Sequence, residues 1–186
     1  MQLYEAIEGR RSVSQLGLPV PGHDVLARVF AAAGRAPDHR VLRPWRYLVI
    51  EGDAALRRLG DLFLAGMRSV DPERAERDAV KLQNMPLRAP MIIVAVLRLQ
   101  DHPGVPAWEQ WLSLGASVQN LLLALHGEGY AAMWRTGDVT GLDQVRHGLG
   151  LAGNEQIGGF VYVGTALAGK APPPQPEGLW QAWTGA

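Results

Sequence analysis

Three short stretches carry the side chains best suited to chemistry: Gly9-Arg10-Arg11-Ser12, Gly34-Arg35-Ala36-Pro37-Asp38-His39-Arg40 and Met133-Trp134-Arg135-Thr136-Gly137. Each lies where periodic sequence gives way to a loop. The planar fork of a guanidinium suits bidentate recognition of a phosphate, and a hydroxyl such as Ser12 or Thr136 can bond a phosphate or sugar oxygen. Taken one at a time, arginines in such places are more often solvated surface side chains. Trp45 and Trp134, each at a strand end, are more often packing groups.

A fourth stretch, Gly148-Leu149-Gly150-Leu151-Ala152-Gly153, satisfies the G-x-G-x-x-G fingerprint of dinucleotide binding. That fingerprint aims the amides of a following helix at a pyrophosphate, so it requires strand, glycines and helix in that order. Here the glycines leave an expected helix and enter an expected strand. The acidic residue expected about 20 positions on is missing as well, because that region is the Lys170-Ala171-Pro172 tail. Gly127 to Ala132 shows the same reversed order. His23, His39, His102, His126 and His147 have no metal-ligand spacing, and no G-x-S-x-G elbow marks a hydrolase. With no cysteine in the chain, thiolate zinc sites, disulfides and thiol catalysis are excluded.

The elements that must position the three arginine stretches read as follows. Residues 2–9 form one or two helical turns ending at Gly9. Val25, Leu26, Val29, Phe30 and Ala33 repeat at helical spacing up to Gly34. Tyr47–Ile50 is a short strand, and Asp53 opens a helix that turns Leu56, Leu59, Leu62 and Phe63 inward. Asp71-Pro72 restarts a polar helix. Met91–Leu97 is an uninterrupted apolar run of the kind buried on both faces of a sheet. A long helix over about 107–125 carries Trp108, Trp111, Leu112, Val118, Leu122 and Leu125 and reads as the central buried helix, with Gly127 as its left-handed stop. Tyr130–Trp134 is a third strand, Thr140–Leu149 a short helix with a T-x-x-D start, and Ile157–Thr165 a fourth strand. The proline-rich tail ends with Trp180 and Trp183.

At 186 residues the chain is one domain, 1–186, long enough to remove roughly 70% of its unfolded surface from water. Eighteen basic side chains balance 18 acidic ones, which argues against nucleic acid as a partner. The start lacks an apolar signal core, and runs such as Met91–Leu97 are too short to span a bilayer, so the expectation is a cytoplasmic protein with no membrane contact.

In its ordered landmarks the chain resembles the nitroreductase family of flavin oxidoreductases, especially the short YdjA-like branch. The landmarks are Arg10-Arg11-Ser12 after a first helix; Arg35-Ala36-Pro37-Asp38-His39-Arg40 followed by Pro44-Trp45, a strand and Glu51-Gly52; the run Arg88 to Ile93; the helix start Val105 to Gln110; Trp134 to Gly137; and Gly159 to Thr165. Together they cover nearly all of the chain. The resemblance implies an α+β, nitroreductase-like three-layer fold, its mixed, mainly antiparallel sheet flanked by helices, in a homodimer. Alternating strands and helices would by themselves favour a doubly wound parallel sheet.

The resemblance further implies FMN bound at a site shared between two subunits, electrons from NADH or NADPH, and a nitroaromatic, quinone or similar small-molecule acceptor. Carried over by position, Arg10, Arg11 and Ser12 match phosphate and ribityl contacts. Trp134, Arg135 and Thr136 match a second flavin-facing segment, with Arg135 foremost for phosphate. Arg35 and His39 match positions near the ring, reaching it from the neighbouring subunit. No catalytic acid or base is implied, because the flavin carries the chemistry. Against the wider family's R-A-P-S-x-x-N-x-Q-P-W, Asp38 stands for serine, Val41 for asparagine and Arg43 for glutamine. Residues 171–186 read as a C-terminal arm packing on the partner. Two other readings are a flavin carrier or flavin-consuming protein without NAD(P)H turnover, and an interaction module that docks a partner through Trp180 and Trp183.

Overall fold

The computed structural model describes residues 2–169, 171 and 174–185. One sheet holds β1 (Leu16–Gly17), β2 (Trp45–Glu51), β3 (Met91–Arg98), β4 (Ala131–Arg135) and β5 (Glu155–Ala166). β2 pairs with β3, and β3 pairs with β5. The other edge of β5 takes β4 and then β1, and all four pairings are antiparallel. A single parallel bridge joins Ser12 to Ala132. The mainly antiparallel expectation holds, and a doubly wound parallel sheet is excluded.

The connections explain the strand directions. Between β2 and β3 the chain runs out along α3 (Asp53–Val70) and back through α4 (Pro72–Arg77) and α5 (Ala79–Asn84). It therefore re-enters the sheet at the end it left, with Glu51 opposite Met91. Between β3 and β4 a single long helix, α6 (Ala107–Gly127), makes one pass, so these two strands point the same way, as a β-α-β unit requires. They are not neighbours, because β5 lies between them and runs opposite to both.

Helices cover both faces. On one side Ile92, Val94 and Val96 pack with Leu56, Leu59 and Phe63 of α3. On the other, Met91, Ile93 and Leu97 pack with Val29 of α2 (His23–Ala33) and with Leu114, Val118 and Leu121 of α6. Every side chain from Met91 to Leu97 is fully buried, which is why the run shows no polar alternation. Among the described residues no helix is long and apolar enough to cross a membrane.

Several local expectations need correction. The inward face of α6 begins with Gln110, Ser113, Leu114 and Ser117, while Trp108, Trp111 and Leu112 face outward at 61%, 37% and 64% exposure. The helix carries two apolar stripes, and spacing cannot tell which one meets the chain's own core. Its left-handed glycine is Gly129 (φ 86°), two residues beyond Gly127, which is still helical. The 140–149 segment divides into a 3-10 turn over Asp138–Gly141 and α7 (Asp143–Gly148). After α7 the chain passes through Gly150 and Gly153 into β5, the order that disqualified the glycine fingerprint.

Of the C-terminal arm, Pro172, Pro173 and Ala186 lie outside the described residues. Its described part has no helix or strand and leaves Leu179, Trp180 and Trp183 exposed at 75%, 82% and 90%.

The start of β5 is held by Glu155, a buried carboxylate that accepts from Arg46 Nε and Nη2 at 2.6 Å each and from the Ala152 amide at 3.0 Å. The Arg46 hydrogen bonds outweigh burial and hold Glu155 at about 2, below its ordinary 4.5. A carboxyl group depressed on folding contributes stability that is full above its unfolded value and lost as pH falls through its folded one. Glu155→Gln is expected to cost about 2 kcal/mol at pH 7. The gap from wild type should close between pH 4.5 and about 2, as checked by denaturant melts across that range.

Candidate functional site

The first and third arginine stretches, more than a hundred residues apart in sequence, meet on β4. α1 (Leu3–Gly9) ends at Gly9, where extended backbone at Arg10 leads the chain to the strand. There Ser12 bridges Ala132, and the Val13 amide donates to the Ala132 carbonyl at 3.2 Å. Arg10, Arg11 and Ser12 are thereby fixed beside the strand that ends in Trp134, Arg135 and Thr136.

Beside this junction lies a cleft of about 410 Å³, between the α1 exit, the last turn of α6 and the segment after β5. Among the described residues its wall carries Arg10, Arg11 and the imidazole of His126, and no carboxylate. Arg11 donates from Nη1 to the Gly9 carbonyl at 2.8 Å. Among the described residues neither Arg10 nor Arg11 pairs with an acid. Burial first, then the charges of Arg11 and Arg10, lower the His126 imidazole from its ordinary value and so favour its neutral form. Two guanidinium groups without an acid beside them among the described residues give the cleft a positive field. His126 was not among the residues singled out by motif, because only the docking of α6 against the α1 exit puts it there.

At the far end of β4, roughly 10 Å along the strand from the Ser12 bridge, Arg135 lies over the Tyr162 ring with its guanidinium carbon 5.5 Å from the centroid. It does not line the cleft. Trp134 donates from Nε1 to the Gly158 carbonyl at 3.1 Å. The indole packs where Gly159 has no side chain, at a position with φ 142° beside the β3–β5 register shift. Thr136 is exposed and is followed by Gly137 at φ 109°. Trp134 and Thr136 therefore border solvent on a strand end held from behind.

Arg35 and His39 stand apart from this group. Arg35 is exposed just beyond α2, whose last carbonyls are occupied by α6: Ser117 Oγ donates to Ala33 at 2.9 Å and Asn120 Nδ2 to Ala32 at 3.3 Å. Tyr47 bonds the same Ser117 hydroxyl at 2.7 Å, and burial pushes its phenol up to about 12. His39 pairs through Nδ1 with Glu109 Oε2 at 2.7 Å, near the start of α6. Glu109 and His126 stand near opposite ends of that helix, roughly 25 Å apart at a rise of about 1.5 Å per residue.

The loop presenting His39 is strained, with Arg40, Val41 and Arg43 at φ 62°, 56° and 47°. Side chains hold it in that form. Asp38 Oδ2 accepts from the Arg43 amide at 2.5 Å, and Gln100 Nε2 donates to the Leu42 carbonyl at 2.7 Å. Buried Gln110 in turn fixes Gln100 by accepting from its amide and donating to its carbonyl. Asp38, where the wider pattern has serine, thus closes the loop. Such strain persists only where the surroundings over-determine it, and it concentrates at functional sites.

The family described as Nitroreductase family matches residues 7–165. The Escherichia coli K12 protein named "Putative NAD(P)H nitroreductase YdjA" is 34% identical over 165 residues, 89% of this chain and 88% of that one. Among solved structures, a nitroreductase-like family protein from Bacillus cereus superposes with a TM-score of 0.77 at 26% identity, covering 94% of this chain and 92% of that one. The FMN and NADPH-dependent nitroreductase NfnB from sphigopyxis sp. strain HMH gives a TM-score of 0.75 at 21% identity over 98% of this chain and all of that one, a likeness of fold.

A methyl group at Gly159 would collide with the Trp134 indole and would have to adopt a left-handed backbone. Gly159→Ala should cost about 2 kcal/mol or more. It should also shift the tryptophan emission as the indole is displaced, measured by thermal melts and fluorescence.

Proposed function

The chain belongs to the nitroreductase family, and from that premise we propose that it is an FMN-dependent NAD(P)H oxidoreductase acting on a nitroaromatic, quinone or related small acceptor. The observation that carries the reading is the junction of the α1 exit with β4, which sets Arg10 and Arg11, neither paired with an acid among the described residues, beside the strand that leads to Trp134, Arg135 and Thr136. The residues present fit FMN. The cleft, with Arg10 and Arg11 in its wall, suits the phosphate, and the Ser12 segment lies between that cleft and the solvent-bordering end of β4. On this reading the phosphate lies with Arg10 and Arg11, and Arg135, held over Tyr162, serves the other end of the cofactor.

Bound FMN would supply two-electron chemistry, accepting hydride from NAD(P)H and passing electrons to the acceptor. The chain's own part is to bind and orient. Arg10 and Arg11 neutralise the phosphate, Ser12 offers a hydroxyl along the ribityl path, and Trp134 with Thr136 forms an open edge that donor and acceptor occupy in turn, giving ping-pong kinetics. Arg35 and His39 belong to the site of the neighbouring subunit in a homodimer. Support for this comes from the separation of roughly 25 Å between the His39 end of α6 and the cleft. It comes also from the uncovered apolar surface of Trp108, Leu112, Trp180 and Trp183, which a second copy would bury.

The test is to load the purified protein with FMN, remove the excess, and add NADH or NADPH without oxygen. A retained flavin spectrum that bleaches is the expected result. Retained flavin that stays oxidised would overturn the reductase reading in favour of a carrier, and no retained flavin would remove the cofactor. Arg10→Ala should weaken FMN binding by roughly ten- to a hundredfold, the worth of a charge-assisted contact of about 1.5–3 kcal/mol, with the helical circular dichroism unchanged. Cutting the chain after Ala171 should weaken self-association by at least tenfold on about 1.5–3 kcal/mol per buried aromatic, read by analytical ultracentrifugation. An unaltered dimer constant would reduce the arm to a local cover.

A further inference from the structure

His126 belongs to none of the landmarks that place this chain in its family, yet it forms part of the anion cleft wall. We propose that His126 is a third cationic contact of the phosphate subsite built by Arg10 and Arg11, and that the protein takes up a proton there when FMN binds. The inference rests on the cofactor placement proposed above.

The geometry is specific. The last turn of α6 carries His126 against the α1 exit, so that a side-chain carbon at Gly9 would lie 3.3 Å from its Nε2. Gly9 thus leaves room for the imidazole directly beside Arg10. Among the described residues the titratable groups lining the cleft around it are Arg10 and Arg11 from the exit loop and Tyr130 from the approach to β4, while the end of β5 and the segment after it present Ala166 to Gly169. No acid among these lining residues offsets the two guanidinium charges.

Burial and those two charges favour the neutral ring. A phosphate dianion placed against them reverses the local field and favours imidazolium, which then donates to a phosphate oxygen; the proton comes from solvent. By linkage, a ligand that raises the proton affinity of a group binds more tightly as pH falls through that group's range. The protonation of the phosphate itself works the other way, but equally in wild type and in a variant.

The experiment is a fluorescence titration of the full chain with FMN and with riboflavin, which lacks the phosphate, between pH 8 and pH 6. It compares wild type with His126→Asn and, should that fold poorly, His126→Gln. Near pH 6 the variants should bind FMN roughly three- to tenfold more weakly than wild type, the factor expected for a shift of up to about one pH unit on binding. Near pH 8 the curves should converge, and riboflavin should show no difference at either pH. An imidazole NMR titration of wild type should show His126 protonating at higher pH with FMN than without it. Parallel FMN curves together with an unmoved His126 resonance would overturn this inference and leave Arg10 and Arg11 in place. FMN binding no tighter than riboflavin at any pH would overturn the phosphate placement, and this inference with it.

Discussion

Twelve residues of β5 hydrogen-bond to β3 along one edge and to β4, then β1, along the other. Every part of the candidate site hangs from that double pairing. It separates β3 from β4 although a single helix connects them, and it exposes the outer side of β4 to the segment leaving α1. Without β5 in that place, Ser12 would have no Ala132 to bridge, and the two arginine stretches would stay far apart. The buried run Met91–Leu97 of β3 supplies the rigidity. Its side chains are gripped on both faces, so the strand end bearing Trp134 and Arg135 is referenced to the centre of the core.

Charge is distributed to the same end. The chain is neutral overall, and many of its arginines are matched: Arg28 with Glu128, Arg46 with Glu155, Arg57 with Asp53, Arg74 with Asp138 and Arg146 with Asp143. Arg10 and Arg11 are the contrast, lining a concave surface that shows no acid among the described residues. Two like charges beside a half-buried histidine repel one another, and an anion between them would relieve that repulsion. The strained loop at residues 40–43 follows the same logic in the backbone. Asp38, Gln100, Gln110 and Glu109 hold a conformation that the local sequence alone would not keep.

Three stretches of the single chain's surface remain at odds with water. α6 shows Trp108 and Leu112 on the side opposite its core stripe, and the arm shows Trp180 and Trp183. α1 adds Leu3 and Tyr4. Apolar exposure on this scale is a feature of surfaces that meet another chain.

Much of this was legible in the residues. Met91–Leu97 announced a strand covered on both faces, because only such a strand can be apolar without alternation. The order of helix, glycines and strand around Gly148–Gly153 ruled out a pyrophosphate loop, since the helix dipole would point away from the ligand. The ordered landmarks from Arg10 to Thr165 identified the family and, through it, the antiparallel sheet and the candidate residues. Spacing fixes which residues share a face of an element. It does not fix what that face meets, and so Trp108, Trp111 and Leu112 read as core when they point outward. The meeting of Ser12 with Ala132, the arrival of His126 beside Arg10 and the placing of Arg135 over Tyr162 instead of in the cleft were decided only by the tertiary structure. Each is a contact between segments far apart in the chain, whose distance depends on how helices pack and strands register.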